Sequence, residues 1–118
     1  SDLGCVVASA MIDIVNTPAF LEQVNLKGAR LAAGYEELLN SYPETLASYG
    51  QIGLNTVLRL ADDSGGFRMN HYLAEAGVFA LLATNSTAAI RIQPPLIVSD
   101  SEIDLILNAL DGAFGRMR

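Results

Sequence analysis

Residues 3–15 are apolar or small at nearly every position: Gly4, Cys5, Val6, Val7, Ala8, Ala10, Met11 and Ile12 run together, and only Ser9 and Asp13 interrupt. The pattern predicts a helix with no wide polar stripe. Such a helix must be covered nearly all round. A chain of 118 residues has little surface to spare for that. The expected partner is therefore the rest of a larger protein, or a second subunit. Asn16-Thr17-Pro18 breaks the pattern. Thr17 is suited to cap a new helix, with Pro18 at its first position, where a missing N–H costs nothing.

From residue 19 to residue 40 the apolar positions change period. Leu21, Val24, Gly28, Leu31, Tyr35 and Leu38 recur at steps of three and four and mark one face of a helix. Gly28 within that stripe costs about 1 kcal/mol against alanine, which implies that another element comes close there. Ser41-Tyr42-Pro43 ends the helix. Ile52, Leu54, Thr56, Leu58 and Leu60 then alternate as in a strand, closed by the turn Asp62-Asp63-Ser64-Gly65-Gly66. A short helix over 67–76 ends at Gly77. Two strands, 78–83 and 88–92, flank Thr84-Asn85-Ser86, which suits a hairpin. Pro94-Pro95 stops the last strand. Ser99 and Glu102 form a capping-box pair, ahead of a final helix with Ile103, Ile106, Leu110, Phe114 and Met117 on its apolar face. The expected fold class is α+β: a small, mostly antiparallel sheet of about three strands with helices packed on one face. The chain reads as one domain, with 1–16 a linking helix and 17–118 the small domain.

Composition narrows the chemistry. The net charge is −6 and the seven basic residues are scattered, so a phosphate backbone is not an expected partner. No apolar run reaches the length of a membrane span, and the first residues lack the basic start of a secretion signal. One cysteine, Cys5, cannot form an internal disulfide, which fits a reducing, cytoplasmic setting. Cys5 and the single histidine, His71, cannot supply the four ligands of an ordinary zinc site. Cys5 reads as a small buried hydrophobe, and His71 as a surface or hydrogen-bonded histidine. Asp62 and Asp63 read as a solvated turn. Asp100, Glu102 and Asp104 cluster where a helix dipole favours acids.

Residues 88–104 read A-A-I-R-I-Q-P-P-L-I-V-S-D-S-E-I-D. This resembles a signature of class III, fold-type I aminotransferases: an arginine between apolar residues, then Pro-Pro-Leu, then a capped helix with Glu-Ile-Asp. Ornithine, acetylornithine, putrescine and 4-aminobutyrate aminotransferases belong to that group. Leu3-Gly4-Cys5 with Met11-Ile12-Asp13, Gly28-Ala29-Arg30-Leu31 with Leu38, and Ala76-Gly77-Val78 are similar to further family elements, in the family's order. Two places depart from it. Ser1-Asp2 stands where Asn-Pro is common, and Tyr49-Gly50-Gln51-Ile52-Gly53 stands where the family has Arg-Gly-x-Gly.

The resemblance implies the C-terminal small domain of a pyridoxal-phosphate enzyme that moves an amino group from an amino acid or amine to a keto acid or aldehyde. In the family, the cofactor and the lysine that holds it lie in the large domain, and the parent is a homodimer. Lys27, the only lysine here, lies mid-helix and is assigned to solvent, so this chain alone is expected to bind no cofactor and to be inactive. The resemblance makes Arg91 a substrate-carboxylate residue, with Pro94 and Pro95 bracing its strand; without it, Arg91 reads as an ordinary surface arginine. A rival expectation is a stand-alone ferredoxin-like binding, regulatory or dimerisation module without catalysis.

Overall fold

Each long helix starts where a short polar side chain can occupy a free backbone N–H. Helix α1 (Asp2–Val15) begins with Ser1, whose Oγ accepts from the Gly4 N–H. Helix α2 (Pro18–Ser41) begins with Thr17, whose Oγ1 accepts from Phe20, and with Pro18 in its first turn. Helix α4 (Asp100–Met117) carries the full capping box: Glu102 N–H donates to Ser99 Oγ, and Ser99 N–H donates to Glu102 Oε2 at 2.7 Å. The remaining elements are β1 (Leu46–Ile52), β2 (Asn55–Leu60), α3 (Gly65–Glu75), β3 (Leu81–Ala83) and β4 (Ser86–Ile92). This computed structural model describes residues 1–118.

The sheet has four strands in the order β1-β2-β4-β3, every neighbouring pair antiparallel. The sequence pattern predicts about three, and the one it misses is β1. What reads as a strand entered at Ile52 is a tight hairpin: Ile52 closes β1 opposite Asn55, with Gly53 at φ +59° in the turn between them. Glycine adopts that left-handed conformation without the steric cost that a Cβ brings. Strand β1 escaped detection because its pairing shifts between Leu46 and Ser48, which breaks the alternation of its apolar positions. The order of elements, α-α-β-β-α-β-β-α, is not the β-α-β-β-α-β order of a ferredoxin-like module.

Alternation along the strands sends one side into the core. Thr56, Leu58 and Leu60 of β2 and Ile90 and Ile92 of β4 are buried. Leu58, Leu60, Ile90 and Ile92 meet Leu31, Tyr35 and Leu38 of α2, Met69 and Leu73 of α3, and Ile103, Leu110 and Phe114 of α4 in a single apolar cluster. Each fully buried Leu, Ile or Phe contributes about 1.5–3 kcal/mol, so this one cluster dominates stability. Gly28 does admit a close neighbour: a Cβ there would lie 3.0 Å from the Gly53 carbonyl oxygen of the β1–β2 turn. Gln51 fastens the same junction, donating from Nε2 to the carbonyls of Gly28 and Gly53, both at 2.8 Å.

Helix α1 takes no part in the core. None of its residues is buried; Leu3 is 74% exposed and Val6 67%. Cys5, read from the sequence as buried, is exposed with the rest of the helix because nothing covers it. No single helix is long and apolar enough to cross a membrane.

Two glycines test the packing in opposite directions. A Cβ on Gly66 would collide with the Thr87 carbonyl oxygen of β4, whereas Gly112, in α4, faces open space. Gly66→Ala is expected to lower the unfolding free energy by about 1–3 kcal/mol, and Gly112→Ala to raise it by about 0.5–1 kcal/mol, both read by denaturant titration. Removing residues 1–16 should leave that titration midpoint nearly unchanged while reducing self-association and apolar-dye binding at high protein concentration; sedimentation velocity of the two forms checks this.

Candidate functional site

Because α2, α3 and α4 share one apolar cluster against one side of the sheet, the residues alternating with the buried ones form a second, open side. Val57 pairs with Arg91 and Arg59 with Ala89 across the β2–β4 ladder. On the outer ladder Leu81 pairs with Arg91, and on the other side Ser48 pairs with Arg59. Arg91 therefore stands on the central strand pair, with strands on both sides of it. Alternation puts Arg59 on the same face, one diagonal step away. A concavity of about 730 Å³ covers this region, lined by both arginines, Ser48, Val57 and Ala89, with Thr84, Asn85 and Ser86 of the β3–β4 turn at its edge. No aspartate or glutamate lines it.

The pairing state of the six arginines separates these two from the others. Arg30 meets Asp104 at 2.6 Å, Arg68 meets Asp62 at 2.7 Å, and Arg116 meets Glu75. Arg118 donates to the Ser41 carbonyl. Those contacts have visible consequences: the Asp62 carboxyl is held below its usual range by the Ser64 backbone N–H first and by Arg68 in smaller part, and Glu75 by Arg116 first. Arg59 and Arg91 have neither a carboxylate within 4.0 Å nor a protein hydrogen-bond acceptor. Arg91 is half-buried, and its Nε is fully buried without a partner. An unpaired buried donor is costly, and a guanidinium presents its donors as a planar fork suited to a carboxylate.

The other candidate residues fall elsewhere. Pro94 and Pro95 follow β4 in an extended segment; the Pro95 carbonyl accepts from Val98 in the turn that leads to α4. Asp62 is a turn residue, accepting from the Ser64 N–H and Oγ at the start of α3. His71 lies on the exposed side of α3, 3.4 Å from Glu75. Lys27 is on α2 in the helical layer and is half-buried, not freely solvated. Its charge adds a minor part to the lowered Glu102 pKa, whose first cause is the Ser99 backbone N–H. Arg59 drew no attention in the sequence, although the alternation of 54–60 already placed it opposite the apolar side.

Residues 2–114 match the model of the family described as aminotransferase class-III. The chain belongs to the class III aminotransferases. A protein of Archaeoglobus fulgidus described as an uncharacterized aminotransferase is 31% identical over 113 residues, covering 96% of this chain and 26% of that protein. The lysine aminotransferase of M. tuberculosis superposes with a TM-score of 0.81 at 23% identity, over 92% of this chain and 24% of its own. An S-selective transaminase from Arthrobacter sp. gives 0.78 at 16%, over 90% and 27%. These structural likenesses show the fold, and this chain spans about a quarter of the length of its relatives.

Class III aminotransferases depend on pyridoxal phosphate. The single lysine stands in the helical layer beside Glu102, outside the concavity that holds Arg91. Incubation of the chain with pyridoxal phosphate and borohydride is expected to leave no stoichiometric reduced adduct on Lys27. Intact-mass and peptide-mass measurement check this, and a full adduct there would overturn the reading.

Proposed function

We propose that this chain is the C-terminal small domain of a larger pyridoxal-phosphate aminotransferase, and that Arg91 takes the carboxylate of the substrate. The observation that carries the reading is the state of Arg91: central in the sheet, half-buried, with a buried Nε and no acceptor of its own. A carboxylate arriving at the open face would meet the accessible, unpaired Nη groups of that guanidinium and receive a two-pronged hydrogen bond. The rigid ladder on both sides of β4 would then hold the substrate by one end and leave its amino or keto carbon directed away from the sheet. The chemistry of amino transfer belongs to the cofactor, bound by the rest of the parent; the task of this domain is to orient the substrate.

The relatives' greater length supports a large partner domain. Helix α1, apolar and uncovered, is the surface proposed to pack on it, with residues 1–16 as the link and 17–118 as the small domain. A homodimeric parent and an amino acid or amine donor are part of the same reading.

In the full-length parent, Arg91→Ala is expected to lower kcat/KM for carboxylate-bearing amino donors by about 10²-fold, the typical cost of truncating one side of a desolvated ion pair. Simple amines should change by less than about threefold. Steady-state kinetics with both donor classes decides, and equal losses for the two would remove Arg91 from substrate binding.

A further inference from the structure

Leu81 is a large apolar side chain on the open face, 57% exposed and outside the apolar cluster. It belongs to β3, a strand of three residues whose register against β4 shifts directly after Leu82. Leu82, opposite Ile90, packs against the core. Leu81 is turned the other way by strand alternation and stands directly opposite Arg91. Val57, half-buried, stands directly opposite Arg91 on the other ladder. Paired residues on one face of antiparallel strands have Cβ atoms about 4.5–5.5 Å apart, so both aliphatic side chains flank the arginine stem. Along β4, the next residue on that face toward the hairpin is Ala89, which offers only a methyl group. Arg91 shows the consequence atom by atom. Its Nε is cut off from solvent without a partner, whereas its Nη groups are accessible and unpaired. A guanidinium can take a carboxylate end-on, through its two Nη groups, or side-on, through Nε and one Nη. With Nε walled off, the end-on mode is the one left open.

We infer that Leu81 and Val57 are positioning residues for Arg91: their side chains clasp the arginine stem, shut off Nε, and leave the Nη edge as the only approach for a carboxylate. This rests on the carboxylate role proposed for Arg91. Arginine readily lays its methylene stem along apolar surface and keeps its head in water. Held on two sides, the stem has less rotamer freedom to lose when the carboxylate arrives. The clasp has a cost, the unmet Nε–H. End-on contact does not relieve that cost, so the fork is aimed the same way in the empty and the occupied site. Leu81 thereby gives the short edge strand β3 a task that the core does not require of it.

The test reads the arginine side-chain resonances of the 118-residue chain, with acetate as the carboxylate probe. Before acetate is added, the Arg91 Nε–H should exchange with solvent at least about tenfold more slowly than that of exposed Arg59, as a proton freed only by local opening does. Leu81→Ala should bring the two rates together, and Leu81→Met, which restores apolar bulk, should recover most of the protection. On titration, acetate should shift the Arg91 Nη signals of the unsubstituted chain and leave its Nε–H nearly still. In Leu81→Ala the Nε–H should move with acetate as well, and acetate should bind roughly 3–10-fold more weakly, the loss expected when a long side chain is no longer held in place. Val57→Ala should act in the same direction. The backbone amide signals of Leu58 and Ile90 should stay in place in Leu81→Ala, because Leu81 lies outside the apolar cluster. Equal exchange rates for Arg59 and Arg91 in the unsubstituted chain, protection that survives both alanine substitutions, or failure of Leu81→Met to restore it would overturn the inference. The two readings separate on the acetate signals. No saturable shift of any Arg91 signal removes Arg91 from carboxylate binding, and this inference with it. A saturable shift in which Nε–H moves as far in the unsubstituted chain as in Leu81→Ala removes only the positioning role.

Discussion

The packing of α2, α3 and α4 onto one side of a four-stranded sheet is the interaction on which the remainder of the molecule depends. Leu58 and Ile90 are wholly buried from the sheet side, and Leu31, Tyr35, Leu73, Ile103, Leu110 and Phe114 from the helical side. Because strand side chains alternate, covering one side of β2 and β4 necessarily presents Val57, Arg59 and Arg91 on the other. The site is thus a consequence of the core: the same ladder that buries Ile90 and Ile92 holds Arg91 between them on the opposite surface.

The two layers use charge differently. On the helical layer, arginines and carboxylates are matched: Arg30 with Asp104, Arg116 with Glu75, Arg68 with Asp62 across the start of α3. Exposed pairs of that kind add little stability, typically under about 1 kcal/mol. On the open face the arginines are unmatched, and an unpaired buried donor such as Arg91 Nε is costly. Most buried polar groups in native proteins are hydrogen-bonded, and here the Tyr35 hydroxyl, Thr56 Oγ1 and Asn70 Oδ1 share the unpartnered state of Arg91 Nε. The separation of paired from unpaired arginines says more about binding than the overall charge of −6 does.

Helix α1 poses the same question in apolar form. It has a good N-cap and regular hydrogen bonds, but none of its side chains is buried. A helix of 14 residues gains little from propensity alone. Its apolar surface is left uncovered, in a chain that spans about a quarter of the length of its relatives.

Much of this was legible in the order of residues. Caps and breaks are local chemistry, so Thr17-Pro18, Ser99 with Glu102, and Gly77, at φ +82°, placed helix ends close to where they lie. The three- and four-residue stripe of α2 and the apolar face of α4 were likewise readable, because helical periodicity repeats over many turns. The family signature at Ala88–Asp104 singled out Arg91. Tertiary structure alone decided the rest. Strand β1 could not be read because its bulge breaks the alternation and its stability comes from pairing with β2, not from its own pattern. Arg59 looked like one more exposed strand residue, and only the register of β2 against β4 made it a neighbour of Arg91. Which arginines find a carboxylate is likewise settled by residues up to 74 positions apart, as with Arg30 and Asp104. Sequence encodes the local rules of each element, but partners distant along the chain are chosen only when the core closes.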